Sequence, residues 1–115
     1  MNIITVQTEG GKDLIMEFIS ELPKEEKGKA IDILEKIEED GLEAFEVLNT
    51  RQLRKKLYEI KFYRHNRFMY IVVDDDDCYI LHACKKQKNK AEKTDLNKAI
   101  ERAKILGKEI GKDLV

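Results

Sequence analysis

Cations gather at two places in the second half of this chain. Lys61, Arg64, His65 and Arg67 surround one turn, and Lys85, Lys86, Lys88 and Lys90 follow a later apolar segment. Guanidinium and ammonium groups neutralise anions, and a planar arginine fork donates two parallel hydrogen bonds to oxygens spaced like those of a phosphate. His65 and His82 add groups that exchange protons near neutral pH. If the two clusters converge at one sheet edge they form a positive patch, although the chain carries a net charge of only -1. The plainer alternative is that these charges solvate the surface of a charge-rich protein.

Other chemistry finds little support. The chain has no GxGxxG, Walker loop, HExxH or CxxC, so no cofactor is expected. Strict alternation along a strand puts Cys78, His82 and Cys84 on one face, but three ligands spread along one strand span too far for tetrahedral zinc. No metal site is expected. Cys78 and Cys84 are also too far apart along a strand to bridge, which predicts two reduced thiols.

The elements that must hold these residues follow from periodicity. Asn2 to Thr8 alternates around Ile4 and Val6 and ends at Gly10 and Gly11, which predicts a first strand and a turn. Leu14, Ile15, Phe18, Ile19 and Leu22 make one helical face that Pro23 closes. Ala30, Ile33, Leu34 and Ile37 make another, ended by Gly41. Together they predict an antiparallel helical hairpin. Residues 42–56 show no clear period. Strands are predicted at Leu57 to Tyr63, Arg67 to Val73 and Cys78 to Cys84, separated by the turn signals RHN and DDDD. Leu96, Ala99, Ile100, Ala103 and Leu106 give a last helix, with the tail KEIGKDLV expected to fray or dock loosely.

The resulting order, β-α-α-β-β-β-α, is an α+β fold with helices expected on one side of a small, mainly antiparallel sheet and the other face left open. At 115 residues with 42% apolar and 39% charged residues, one domain over 1–115 with a core of its own is expected. No apolar run approaches the roughly 20 residues a membrane span needs, and the N-terminus lacks a basic-then-apolar secretory pattern. A cytoplasmic location is expected.

Order and spacing in the second half resemble a known family. LYEIKF, RFMYIV, YILHACKKQKNK and DLNKAIERAK are similar to the successive motifs of the RelE/HigB toxin superfamily, and most of all to its phage-derived Gp49-like branch. Leu57 to Lys61 fit that family's LxELR strand, with lysine for the usual arginine. Arg67 holds the arginine of the second motif. Leu81, His82 and Ala83 match the third, with Cys84 in place of a common phenylalanine. Lys86 and Lys90 fall on family lysines, Gln87 replaces another, and Asp95, Leu96 and Ala99 match the opening of the last helix.

The resemblance implies the toxin of a type II toxin–antitoxin pair: a ribosome-dependent, metal-independent endoribonuclease acting on mRNA. A small antitoxin, commonly a helix-turn-helix DNA-binding protein, would hold it silent in a hetero-oligomer. In such chemistry the 2'-hydroxyl attacks the adjacent phosphorus, so the enzyme must help remove a proton, stabilise negative charge and support the leaving 5'-oxygen. The family match implies catalytic roles for Lys61, Arg67, Lys90 and His82, and RNA contacts for Arg64, His65, Lys85, Lys86 and Lys88. Residues 94–115 carry neither the late tyrosine nor the histidine that RelE-type enzymes often use. The alternatives on the same fold are a ParE-like toxin that inhibits DNA gyrase without cleavage, or an inactive module that only binds its antitoxin.

Overall fold

The computed structural model describes residues 1–86 and 90–115, with side chains for all of these except 90–92. Five strands form one sheet in the order β1-β5-β4-β3-β2. They are β1 (Asn2–Thr5), β2 (Thr50–Arg54), β3 (Leu57–Phe62), β4 (Asn66–Val73) and β5 (Asp77–Lys85). β1 runs parallel to β5, and every other pair is antiparallel. The helices are α1 (Leu14–Ser20), α2 (Lys24–Asp40), the short α3 (Ala44–Val47) that continues a 3-10 turn at Gly41–Glu43, and α4 (Lys90–Ile110). The expected α+β architecture is therefore present.

Local signals account for most boundaries. Asp13 caps α1 by accepting from the backbone N–H groups of Ile15 and Met16, both at 3.0 Å. Gly41 ends α2 at a positive φ of 63°, where a side chain would be strained. The alternation of LYEIKF sends Tyr58, Ile60 and Phe62 to one sheet face and Leu57, Glu59 and Lys61 to the other.

Both sheet faces are covered, which corrects the expectation of helices on one side only. Ile15, Ile19, Ile33 and Ile37 of the first two helices pack with Ile60, Phe68, Tyr70 and Ile80 to make one core. Ala99, Ala103 and Leu106 of α4 pack on Leu57, Met69, Ile71 and Leu81 to make a second. An apolar stripe in each helix group and an apolar residue at almost every position of β4 require this layering, since β4 is buried on both faces.

Three further corrections follow. Residues 42–56, read as without period, contain β2. Its Arg51 pairs with Glu59, and a register shift leaves Leu53 as an extra residue between Gln52 and Arg54. The C-terminal tail is firmly docked rather than frayed: Leu114 is 2% exposed, and its carbonyl accepts from the Lys56 N–H at 3.1 Å. The third concerns β5. Met69 faces His82 but Tyr70 faces Ile80, so Leu81 is an extra residue opposite β4. This bulge inverts the alternation from His82 onward. Cys78 therefore faces the first core, whereas His82 and Cys84 face α4, contrary to the single-face arrangement expected for the three.

Candidate functional site

The α4 side of the sheet is covered over its middle but opens into a cleft where β2, β3, β4 and the end of β5 meet the first turns of α4. The cleft encloses about 280 Å³ and is lined by residues that include Arg51, Glu59, Arg67, Lys86, Lys93 and Asp95. Alternation explains its membership: Glu59 on β3, Arg67 on β4 and Cys84 on β5 share a face because Lys61 pairs with Arg67 and Arg67 pairs with Cys84 across the strands.

Glu59 lies at the centre, buried, on the middle strand of the three. Arg51 Nη2 donates to it from β2 at 2.9 Å and Arg67 Nη1 from β4 at 3.5 Å. A buried carboxylate needs such compensation, because removing a charge from water without a partner costs several kcal/mol, by the order of magnitude for such ions. Arg67 is consequently an interior residue, with its side chain only 5% exposed. Asp74, at the far end of β4, pairs with Lys112.

Among the described residues, the sequence-predicted cations converge at the β3–β4 turn. Lys61 is exposed directly across from Arg67. Arg64 and His65 form the β3–β4 turn, where Tyr63 and Arg64 both adopt positive φ, 50° and 63°. The end of β5 reaches the same place: Lys85 pairs with Asn66, and the Lys86 N–H donates to the His65 carbonyl. The acidic run Asp74 to Asp77 occupies the β4–β5 turn, at the opposite end of the eight-residue strand β4, roughly 20 Å away at about 3.3 Å per residue. Lys88 lies outside the described residues. Lys90 begins α4, and its side chain is likewise outside them. Glu25 and Glu26 of α2 flank the Arg64 turn, through bonds to Tyr63 at 2.6 Å and Asn66 at 2.8 Å.

His82 is held within the fold. Its Nε2 lies 2.8 Å from Asp95 Oδ1 and its Nδ1 3.0 Å from Arg102 Nη1, which also donates to the Leu81 carbonyl at 2.8 Å. Burial lowers its pKa, Asp95 opposes that shift, and Arg102 and Lys98 add to it. Since a guanidinium only donates, Nδ1 is the acceptor and the ring proton sits on Nε2, toward Asp95. The ring thus secures the start of α4 to β5 and keeps both nitrogens occupied.

Ligand atoms of His82, Cys84 and Asp95 also lie within 4.8 Å of one another. Their surroundings suit a hydrogen-bonded trio better than a metal. A metal on Nε2 would call for a proton on Nδ1, where Arg102 already donates. Burial and the Asp95 carboxylate push the Cys84 thiol up to about 12, and burial does the same to Cys78. Both are protonated thiols at neutral pH.

Sequence reasoning missed Arg51, Glu59, Lys93, Asp95 and Arg102 as members of the site. Glu59 and Asp95 were visible as motif positions. Arg51 and Arg102 carried no local signal, since contact with β3 and β5 alone distinguishes them from other surface arginines.

The family model described as phage derived protein Gp49-like (DUF891) matches residues 17–104. The chain belongs to this Gp49-like family. The match runs from within α1 to within α4 and so contains every residue of the cleft. The Gp49-like family belongs to the RelE/HigB-like toxin superfamily, and its members are toxin–antitoxin-related, commonly acting as RNases. A cognate antitoxin is accordingly the implied partner of this Gp49-like chain. No curated protein matches it. Among the described residues no helix is long and apolar enough to cross a membrane.

Proposed function

We propose that residues 1–115 act as one toxin domain, a ribosome-dependent mRNA endoribonuclease that blocks translation in the cytoplasm and is silenced by a cognate, helix-turn-helix antitoxin in a hetero-oligomer. One observation carries this reading: the motif arginine Arg67 is buried at the base of a cation-lined cleft, directly across from Lys61. A nuclease that cleaves through the 2'-hydroxyl is served by fixed cations that stabilise the negative charge developing on the phosphate.

In this reading the scissile phosphate enters the cleft and Arg67 stabilises the extra negative charge on the pentacoordinate phosphorus. Its packed, preorganised guanidinium suits that role, because a fixed donor needs little reorganisation as charge develops. Lys61 contacts the phosphate as a cation or, when present as the neutral amine, accepts the 2'-hydroxyl proton. As the P–O5' bond breaks, a lysine at the β5–α4 end, Lys90 in the motif, gives a proton to the leaving 5'-oxygen. The products are a 2',3'-cyclic phosphate and a free 5'-hydroxyl. Arg64, His65, Lys85, Lys86 and Lys88 grip the flanking backbone. His82, with both nitrogens engaged, acts by positioning Asp95 and α4 rather than by direct proton transfer. The distance of the acidic β4–β5 turn from this end favours approach to RNA.

Controlled expression of the wild type and of Arg67→Ala in a bacterial host tests the proposal, with primer extension on a translated messenger and pulse labelling of protein synthesis. Cuts within codons that require Arg67 and ongoing translation are expected. Growth arrest without cuts points to gyrase inhibition instead, and absence of arrest to an inactive antitoxin-binding module.

A further inference from the structure

Two arginines reach Glu59 from opposite sides, and they differ in one respect that matters. Arg67 and Glu59 each have side chains 5% exposed, whereas that of Arg51 is 65% exposed. Arg51 Nη2 is 2.9 Å from Glu59 Oε1, and a guanidinium has five N–H donors. One edge of Arg51 is thus anchored to a buried carboxylate on the neighbouring strand, while most of the side chain faces water at the wall of the cleft. Among the described residues the ionic lining is Arg51, Arg67, Lys86 and Lys93 against Glu59 and Asp95, so these side chains give an excess of positive charge.

We propose that Arg51 is a phosphodiester-binding residue of this cleft, with Glu59 as the positioning residue that presents it. This rests on the reading of the cleft as the RNA site. An anchored guanidinium has already lost much of the rotamer freedom that a lone surface arginine gives up on binding, which favours it as a phosphate ligand. Arg51 and Arg67 then lie on either side of β3 and contact the same phosphate or consecutive ones along a single strand. Arg51 binds the RNA, and Arg67 meets the reacting group. The opposing role for Arg51 is purely internal: neutralising Glu59, with no contact to ligand.

Binding of a short single-stranded RNA with 2'-O-methyl groups, which cannot be cleaved by this chemistry, separates the two roles. Affinity is read by fluorescence anisotropy over a range of salt for the full chain, Arg51→Ala, Glu59→Gln and the double variant, with melting curves to confirm folding. Loss of Arg51 is expected to weaken binding about tenfold, the scale of one charge-assisted hydrogen bond. It should also flatten the slope of log affinity against log salt by about 0.7, one phosphate contact on a single strand. In the Glu59→Gln background, where Arg51 keeps its charge but loses its anchor, the loss should persist in reduced form; an undiminished loss would remove Glu59 as the positioning residue. A loss seen only while Glu59 is present, or none at all, overturns the assignment. RNA binding that requires Arg67 and not Arg51 overturns it while leaving the nuclease reading intact. Binding through Arg51 by a protein that never cleaves messenger does the reverse.

Discussion

Arg102 Nη1 approaches Nδ1 of His82 at 3.0 Å while Asp95 holds Nε2 at 2.8 Å, which fixes a neutral imidazole with its proton on Nε2. Protonating Nδ1 would set a new N–H against a guanidinium. Burial and Arg102 hold the folded-state pKa of His82 below its ordinary value of 6.5. The unfolded chain therefore binds a proton that the folded chain resists. The contribution of this residue is complete above the unfolded pKa and falls as pH drops through it toward the folded one, by at most about 1.4 kcal/mol per pH unit. Urea unfolding of the wild type and of His82→Gln between pH 7.5 and 5.5 should show the difference between them changing in that direction. A gap that widens on acidification would mean a raised folded-state pKa and would contradict the neutral ring assigned here.

Gly107 approaches the tail so closely that a Cβ there would lie 2.6 Å from the Lys112 carbonyl oxygen, which belongs to the turn closed by the Lys112 N–H donating to the Gly107 carbonyl at 2.9 Å. In an exposed helix, glycine to alanine gains up to about 1 kcal/mol. Here the sign reverses: Gly107→Ala is expected to cost about 1–3 kcal/mol, the usual range for overpacking. Leu114→Ala, which empties a buried site in the second core, should cost about 2–5 kcal/mol. Denaturant midpoints measure both.

The two thiols lie on opposite faces of the sheet and are raised to about 12, and only thiolates react readily. Native protein at pH 8 should resist alkylation by iodoacetamide and form no internal disulfide under mild oxidation, and both cysteines should react rapidly in denaturant. Mass spectrometry of the labelled protein reads both results.

Arg67→Lys keeps the charge at the base of the cleft but loses the planar fork. Messenger cleavage in a reconstituted translation reaction should fall by about 10²-fold or more, as for removal of one transition-state donor, with Arg67→Ala lower still. Melting temperatures should show whether Arg67→Ala, which leaves Glu59 with less compensation, folds well enough for its activity to be interpreted. Lys61→Ala changes an exposed side chain and should lower cleavage with little effect on stability.

Much of the frame was legible in the residues. Period-two runs of β-branched and aromatic residues marked β3, β4 and β5, and the stripes from Leu14 to Leu22 and Ala30 to Ile37 marked the first two helices. These are local properties, set by which side chains share a face at a given backbone repeat. The ordered motifs from Leu57 to Ala99 pointed to the superfamily for the same reason. Whether an apolar stripe covers one sheet face or the other is not local, so the position of α4 opposite the hairpin could not be read.

The same distinction runs through the site. The sequence by itself determined that Glu59 and Lys61 share a face, and that cations flank the β3–β4 turn. Only the tertiary structure decided that Leu81 is bulged out and turns His82 away from Cys78. It alone brought Arg51 from an aperiodic stretch to Glu59, and made Arg67 a buried residue. Each of these depends on strand register and on contacts between residues far apart in the chain. Hydrogen-bond geometry and competition for buried space choose such contacts only when the whole sheet has assembled.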